Sequence, residues 1–267
     1  MEGTGWYGAG LVRFLAAQGQ LVWEVNRPDR QARRQHGKSD PVDAEAADRA
    51  VQAGQATAIP KAGDHLVEML RWPRVARTTA VKACTQTANA LPALVVTAPA
   101  ELREQRRVLA AGTLASTAAR MRPGPIATTT AATKLALRLL GERDQALDGE
   151  LARVDAELDR LTTQAAPELR QRCGVGPEIA GALWVAAGDT PMRLRSQAAC
   201  SMLCGASPIP ASSGKTVRHR LNRGGNRQAN TARYRIVVVR LGWHQPTRDD
   251  LARRTRQGLS KREIIRC

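Results

Sequence analysis

The spacing of apolar and polar positions changes twice along this chain, and the changes mark out three regions. Residues 1–60 are mixed. Gly3, Gly5, Gly8 and Gly10 crowd the start, and Leu11, Val12, Phe14 and Leu15 then make a short apolar helical face. The run Leu21-Val22-Trp23-Glu24-Val25 reads as a β-strand stopped by Asn26-Arg27-Pro28. A basic loop from Arg30 to Lys38 leads to Ser39-Asp40-Pro41-Val42-Asp43, which opens an Ala-rich helix running to about Val51. An α/β sheet is normally built outward from central strands. With one clear strand here, further strands are expected upstream of Met1.

Residues 61–165 read as all-helical. Leu147, Leu151, Val154, Leu158 and Leu161 alternate spacings of four and three, an a/d seam with Glu150, Arg153, Asp155, Glu157 and Arg160 outside it. Such a seam suits an antiparallel helix hairpin, a dimer, or one helix packed on its own domain. Pro92 falls inside the helical pattern from about Leu66 to Leu94. An interior proline costs ~3 kcal/mol, so the helix is expected to break there unless the sequence has drifted. Residues 166–267 read as a basic, mostly helical region containing a polar, glycine-rich stretch from Pro208 to Gly225. The final residues, Ser260 to Cys267, fall inside a helical pattern with no C-cap signal, so the C-terminus is expected to be cut. The fold class is therefore mixed α/β and α: an α/β part, a central helical coiled-coil, and a mostly α-helical C-terminal domain.

Composition narrows the partners. The chain has 267 residues, 43% of them apolar, enough to build a core. Its 41 Lys and Arg against 24 Asp and Glu give a net charge of +17. That surplus repels itself in the compact state unless a polyanion neutralises it, and nucleic acid is the commonest such partner; a coding bias toward arginine is the plainer reading. Aromatic residues are only 3%, which disfavours base-stacking platforms and points to phosphate contacts. The five cysteines are odd in number and lack a Cys-x-x-Cys pair. A disulfide framework is not expected, which fits the reducing cytoplasm. Cys200 and Cys204, four apart, suit small core packing. No run approaches the ~18 apolar residues of a membrane span, and Met1-Glu2-Gly3-Thr4-Gly5 does not resemble a signal peptide.

Three constellations carry chemistry. Phosphodiester chemistry with Mg²⁺ needs carboxylates converging on a hard cation, and Glu2, Asp40 and Asp43 are the candidates. Asp40 and Asp43, three apart at a helix start, can face one side; Asp at the N-cap, Pro at N1 and Asp at N3 is equally a normal helix beginning. Cys173-Gly174-Val175-Gly176-Pro177 resembles a helix-hairpin-helix turn, in which Gly174 and Gly176 would let backbone amides reach a phosphate; an ordinary glycine turn is the alternative. Ser212-Ser213-Gly214-Lys215, followed by Arg218, His219, Arg220 and Arg223, offers a serine hydroxyl among cations that could hold a phosphate, although most such loops are solvated turns.

Taken in order, these pieces resemble one family. Glu2-Gly3-Thr4-Gly5, Glu24-Val25-Asn26 and Gly37-Lys38-Ser39-Asp40-Pro41-Val42-Asp43-Ala44 look like the later part of the catalytic domain of DEDD transposases of the insertion-sequence one-ten family. Gly174-Val175-Gly176-Pro177, Cys204-Gly205, Pro208, Ser213-Gly214-Lys215 and Arg223-Gly224-Gly225-Asn226 look like its C-terminal transposase domain. The resemblance implies a partial ribonuclease-H-like domain, similar to Holliday-junction resolvases, in residues 1–60. A helical coiled-coil at 61–165 and a transposase domain at 166–267 would follow. It implies Mg²⁺ held by an acidic tetrad whose second, third and fourth members fall on Glu2, Asp40 and Asp43. It also implies a serine nucleophile at Ser213, with Ser212 as the alternative. DNA, a structured guide RNA from the element and further copies of the chain are the implied partners. Lys215, Arg218, Arg220 and Arg223 are the expected nucleic-acid contacts. The family's first catalytic Asp sits on an opening strand that would precede Met1. Without it, the chain as written is expected to be impaired in strand exchange. A non-catalytic nucleic-acid-binding module and a helical dimerisation scaffold are the competing readings.

Overall fold

The computed structural model describes residues 1, 4–5, 7–25, 37, 39–60, 65–188 and 194–266. Its spine is a long helical hairpin. Helices α1 (Ala9–Ala17) and α2 (Asp40–Gln52) precede it. The outgoing arm is α3 (His65–Thr97). The short helices α4 (Ala100–Arg106) and α5 (Ala111–Ala119) fold over its far end, and α6 (Thr129–Ala165) returns. At the base follow α7 (Pro167–Arg170), α8 (Pro177–Ala187) and α9 (Gln197–Leu203). Strands β1 (Ile209–Pro210) and β2 (His219–Arg220) come next. The chain then runs through α10 (Arg227–Trp243), α11 (Gln245–Arg256) and α12 (Lys261–Arg266).

The hairpin forms because both arms bury one stripe. On α3 the buried positions are Val67, Leu70, Arg74, Ala80, Thr87, Leu91 and Val95, steps close to the helical repeat. On α6 the leucines of the predicted seam become more buried toward the base, where Leu158 and Leu161 are enclosed. Three contacts set an antiparallel register. Leu70 packs with Leu158 and Leu161, Arg77 Nε donates to Asp155 Oδ1 at 2.5 Å, and Leu91 and Val95 pack with Leu137 at the tip. The seam is thus covered by α3 of the same chain. At 33 and 37 residues, the arms are about 50 and 55 Å long.

Two expectations need correction. The helix does not break at Pro92: α3 continues to Thr97 with Pro73 and Pro92 inside it. Pro92 is exposed while Leu91 and Val95 beside it are buried, and burying such side chains, about 1.5–3 kcal/mol each, offsets the lost hydrogen bond. The run from Leu21 to Val25 does not become a regular strand either. It is extended, and among the described residues each neighbour pairs with it through a single residue. The Met1 ammonium donates to the Trp23 carbonyl at 2.6 Å and the Val25 amide donates to the Met1 carbonyl at 2.9 Å, a parallel pairing. On the other side Glu24 forms an antiparallel bridge to Ala58. Helix α1 thus lies in sequence between Met1 and the extended run with which Met1 pairs in parallel.

Small residues let the elements close up. A Cβ on Gly141 of α6 would stand 2.5 Å from the Ala119 nitrogen and 2.6 Å from the Ala115 oxygen of α5. At the base, Ala186, Cys204 and Ala229 form the core between α8, α9 and α10, with Cys200 packed against it. The two cysteines are core packing, and burial, then Cys200, pushes the Cys204 thiol up. Ser260 and Glu263 cap α12 reciprocally, each side chain accepting from the other's amide. No helix among the described residues is long and apolar enough to cross a membrane.

Candidate nucleic-acid interface

The glycine-rich stretch at 208–225 is a β-hairpin rather than a loop. Ile209 pairs with Arg220 and Pro210 with His219. The same register continues outward: the Ala211 amide donates to the Arg218 carbonyl at 2.8 Å, and Ser213 and Thr216 exchange both amide bonds at 3.1 Å. Gly214 and Lys215 form the two-residue tip, and Gly214 has φ +56°, the conformation a II′ turn requires at its first central position. Residues 211–220 are all exposed, so the hairpin is a projecting arm.

Strand geometry sorts its side chains. Directly opposed residues share a face, as do residues two apart, so Ser213 lies on the same face as Arg218 and Arg220. The two candidate serines differ. The Ser212 hydroxyl accepts from the Arg218 amide at 3.1 Å, knitting the arm together. The Ser213 hydroxyl has no protein partner among the described residues.

The arm is clamped at its foot. A Cβ on Gly225 would lie 2.2 Å from the Gly205 nitrogen, and Gly205 itself has φ +65°. Two backbones meet where no side chain fits. The Asn226 amide donates to the Leu203 carbonyl at 2.7 Å, Asn226 Oδ1 caps α10 by accepting from the Gln228 and Ala229 amides, and Asn230 Nδ2 donates to the Cys204 carbonyl. Cys204-Gly205 and Gly224-Gly225-Asn226, distant in sequence, are one structure.

Charge is concentrated here. Between Asp189 and Asp249 the sequence contains eleven Arg and Lys and no acidic residue. Lys215, Arg218, Arg220, Arg223, Arg227 and Arg235 form no ion pair among the described residues. The sequence marks the region as basic, and the absence of any acidic residue across this whole segment sharpens that signal.

Gly174 and Gly176 lie in the turn between α7 and α8. Gly174 has φ +83° and its open side faces Ile236 of α10, whose carbonyl would be 3.1 Å from a Cβ. Gly176 is the N-cap of α8, and Glu178 occupies the first turn. Sequence reasoning missed the residue across from it. Arg74, on the buried stripe of α3, donates from Nη2 and Nε to the two Glu178 carboxylate oxygens at 2.9 and 3.3 Å, and from Nη1 to Gln228 Oε1 at 3.2 Å. Its aliphatic stem crosses Gly181, where a Cβ would meet Cδ at 2.9 Å. A charged residue at an apolar seam position is the only sequence signal it gives.

Of the carboxylates, Glu2 lies outside the described residues. Asp40 and Asp43 share the first turn of α2, with Asp40 exposed and Asp43 half-buried. The N-cap is Ser39 rather than Asp40, and the Ser39 side chain makes no capping hydrogen bond. Carboxylates in a first turn suit the helix dipole whatever else they do. Among the described residues no three His, Cys, Asp or Glu side chains converge on a metal position.

Comparison with known proteins bears on both halves of the chain. Residues 1–98 match a transposase family model of the DEDD type of the IS110 group, and residues 166–253 match the model described as Transposase IS116/IS110/IS902 family. No curated protein matches the chain. The two matches lie in sequence order, the first covering the carboxylate segment and the outgoing arm α3 and the second covering the base with its basic arm, and the chain belongs to the IS110 family of transposases.

Proposed function

We propose that this chain acts on DNA phosphodiesters, with Ser213 as the nucleophile presented by a cationic arm. The observation that carries the reading is the face shared by Ser213, Arg218 and Arg220, together with a Ser213 hydroxyl that no group among the described residues engages while that of Ser212 is committed to the arm. In the step proposed, Ser213 Oγ attacks phosphorus and gives up its proton. The bond from phosphorus to a deoxyribose oxygen breaks, and that oxygen leaves as a hydroxyl after taking up a proton. The phosphoryl group ends as a serine ester. Arg218 and Arg220 neutralise charge on the phosphoryl oxygens as it builds.

Asp40 and Asp43 offer hard oxygen donors on one helical turn, the ligand type that Mg²⁺ takes, and with Glu2 they are the residues that would hold it. When bound, the ion would act as a Lewis acid on the phosphoryl group. A structured guide RNA and assembly of several copies are carried as part of this proposal, on the family resemblance.

The test is covalent capture. A labelled DNA substrate incubated with the protein and Mg²⁺ is expected to yield a denaturation-resistant protein–DNA adduct that Ser213→Ala abolishes and Ser212→Ala retains. An adduct that survives Ser213→Ala would overturn the assignment. A second reading, a nucleic-acid-binding module without strand chemistry, is favoured by the first-turn positions of Asp40 and Asp43. Under it the wild-type protein binds DNA and forms no adduct, and removing both carboxylates changes neither result.

A further inference from the structure

We propose that the cleft between α3, α8 and α10 seats one backbone phosphate of the bound nucleic acid, with Arg227 and Arg235 as its ligands. The proposal rests on reading the chain as a DNA-acting protein. It assigns a contact some way from the serine, at the foot of the arm.

The cleft holds about 210 Å³ and is lined by Arg74, Thr78, Glu178, Arg227, Thr231 and Arg235, among others. Small-molecule pockets run to about 300–1,000 Å³. This one is small for a base and sugar and suits a phosphate-sized group. Residues 227, 231 and 235 are four apart on α10, so the two guanidinium groups and the Thr231 hydroxyl line one side of the helix. Arg227 and Arg235 are exposed and form no ion pair among the described residues.

Their lack of a partner has a cause in the same cleft. Glu178 is the one carboxylate among the lining residues, and both of its oxygens accept from Arg74. Arg74 is buried and fixed on its far side by Gln228. The acid that would otherwise quench the two outer arginines is held from within. The four charged groups then leave a surplus of positive charge facing outward, which an anion with several acceptor oxygens satisfies. Arg74 is thus a positioning residue: it does not touch the phosphate but keeps Glu178 away from it.

The occupant is a strand phosphate because of what adjoins the cleft. Asn226 closes the foot of the arm and Arg227 opens the cleft. A strand lying along Arg218, Arg220 and Arg223 therefore arrives at Arg227 without crossing an acidic residue.

The experiment compares Arg227→Gln/Arg235→Gln with Arg143→Gln/Arg153→Gln, an equal charge change at two exposed positions on α6. Binding of a fluorescein-labelled 30-base-pair duplex is followed from 50 to 300 mM salt, and melting temperature is followed with inorganic phosphate. The cleft pair is expected to weaken duplex binding about ten- to hundredfold and to flatten the salt dependence by about one phosphate contact. The α6 pair should leave the slope as in the wild type. Equal behaviour of the two pairs overturns the proposal. So does stabilisation by inorganic phosphate that the cleft pair loses while duplex binding stays unchanged, since the cleft would then take the free anion. A wild-type protein that binds no duplex at all overturns the DNA reading itself, a result distinct from both.

Discussion

Arg74 stands where a leucine would ordinarily stand on the buried stripe of α3, and its guanidinium joins α3 to α8 and α10 through Glu178 and Gln228. Breaking a buried pair from one side leaves an uncompensated charge, whereas replacing both partners with apolar groups is often near neutral. Arg74→Met is therefore expected to cost about 3 kcal/mol, and Arg74→Met/Glu178→Leu to recover most of it, both read from urea unfolding. A smaller effect is expected at the waist of the hairpin. Burial, and then the neighbouring charge of Asp148, raise the Asp144 carboxyl above its ordinary pKa. Its ionised form is disfavoured in the fold, so its charge costs stability at neutral pH. That cost is relieved as pH falls through the raised pKa toward the ordinary one. Asp144→Asn should thus melt higher than the wild type at pH 7, with the gap closing as the solution is acidified below the ordinary carboxylate range. Melting curves for the two proteins across that range check the sign. Across the seam, Cys84 is raised chiefly by burial, with Asp148 and Asp144 adding to it, so iodoacetamide should modify exposed Cys173 well before Cys84.

Among the elements, two glycine contacts decide whether neighbouring pieces can meet. Gly225→Ala would drive a methyl group into the Gly205 backbone. The foot of the arm should open, and trypsin should cleave faster at Lys215, Arg218 and Arg220 while the helical signal in circular dichroism stays. Gly141→Ala strikes backbone of α5 rather than a movable side chain, and such overpacking costs about 1–3 kcal/mol or more. Thermal melts should show it. How far the sequence reveals an element follows from what holds that element. The α6 seam was legible because Leu158 and Leu161 repeat at helical spacing and that spacing alone selects a face. The arm was not, because its pairing depends on backbone bonds between residues with no apolar alternation, and Ser, Gly and Pro there read as loop. Pro92 misled because local propensity forbids what tertiary burial of Leu91 and Val95 outweighs. Leu21 to Val25 misled in the opposite sense, since a strand needs partners that pattern alone does not supply. For the candidate site, Ser213 and its cations were legible as a motif. The commitment of the Ser212 hydroxyl to the Arg218 amide and the clamping of Glu178 by Arg74 are three-dimensional facts.

On the scale of the whole molecule, charge is unevenly distributed. The hairpin carries carboxylates and arginines that pair with one another, as in Arg77 with Asp155 and Arg138 with Glu142, whereas the base carries an acid-free run of cations. The self-repulsion of a +17 chain is therefore borne largely by one end, and a polyanion bound there would relieve it. For that division to hold, the hairpin must close within one chain. Leu158 is wholly buried and packs with Leu70 of α3 and Leu161 of its own helix. Leu158→Ala should cost about 2–5 kcal/mol through the cavity it leaves. Because the seam is filled from the same chain, the loss should be independent of protein concentration, and the mass by light scattering should match the wild type at every concentration at which both stay folded. If the variant dissociates into smaller species, or if its melting temperature climbs with concentration more steeply than the wild type's, the seam is shared between chains. The antiparallel closure of α3 on α6 would then be wrong for the protein in solution.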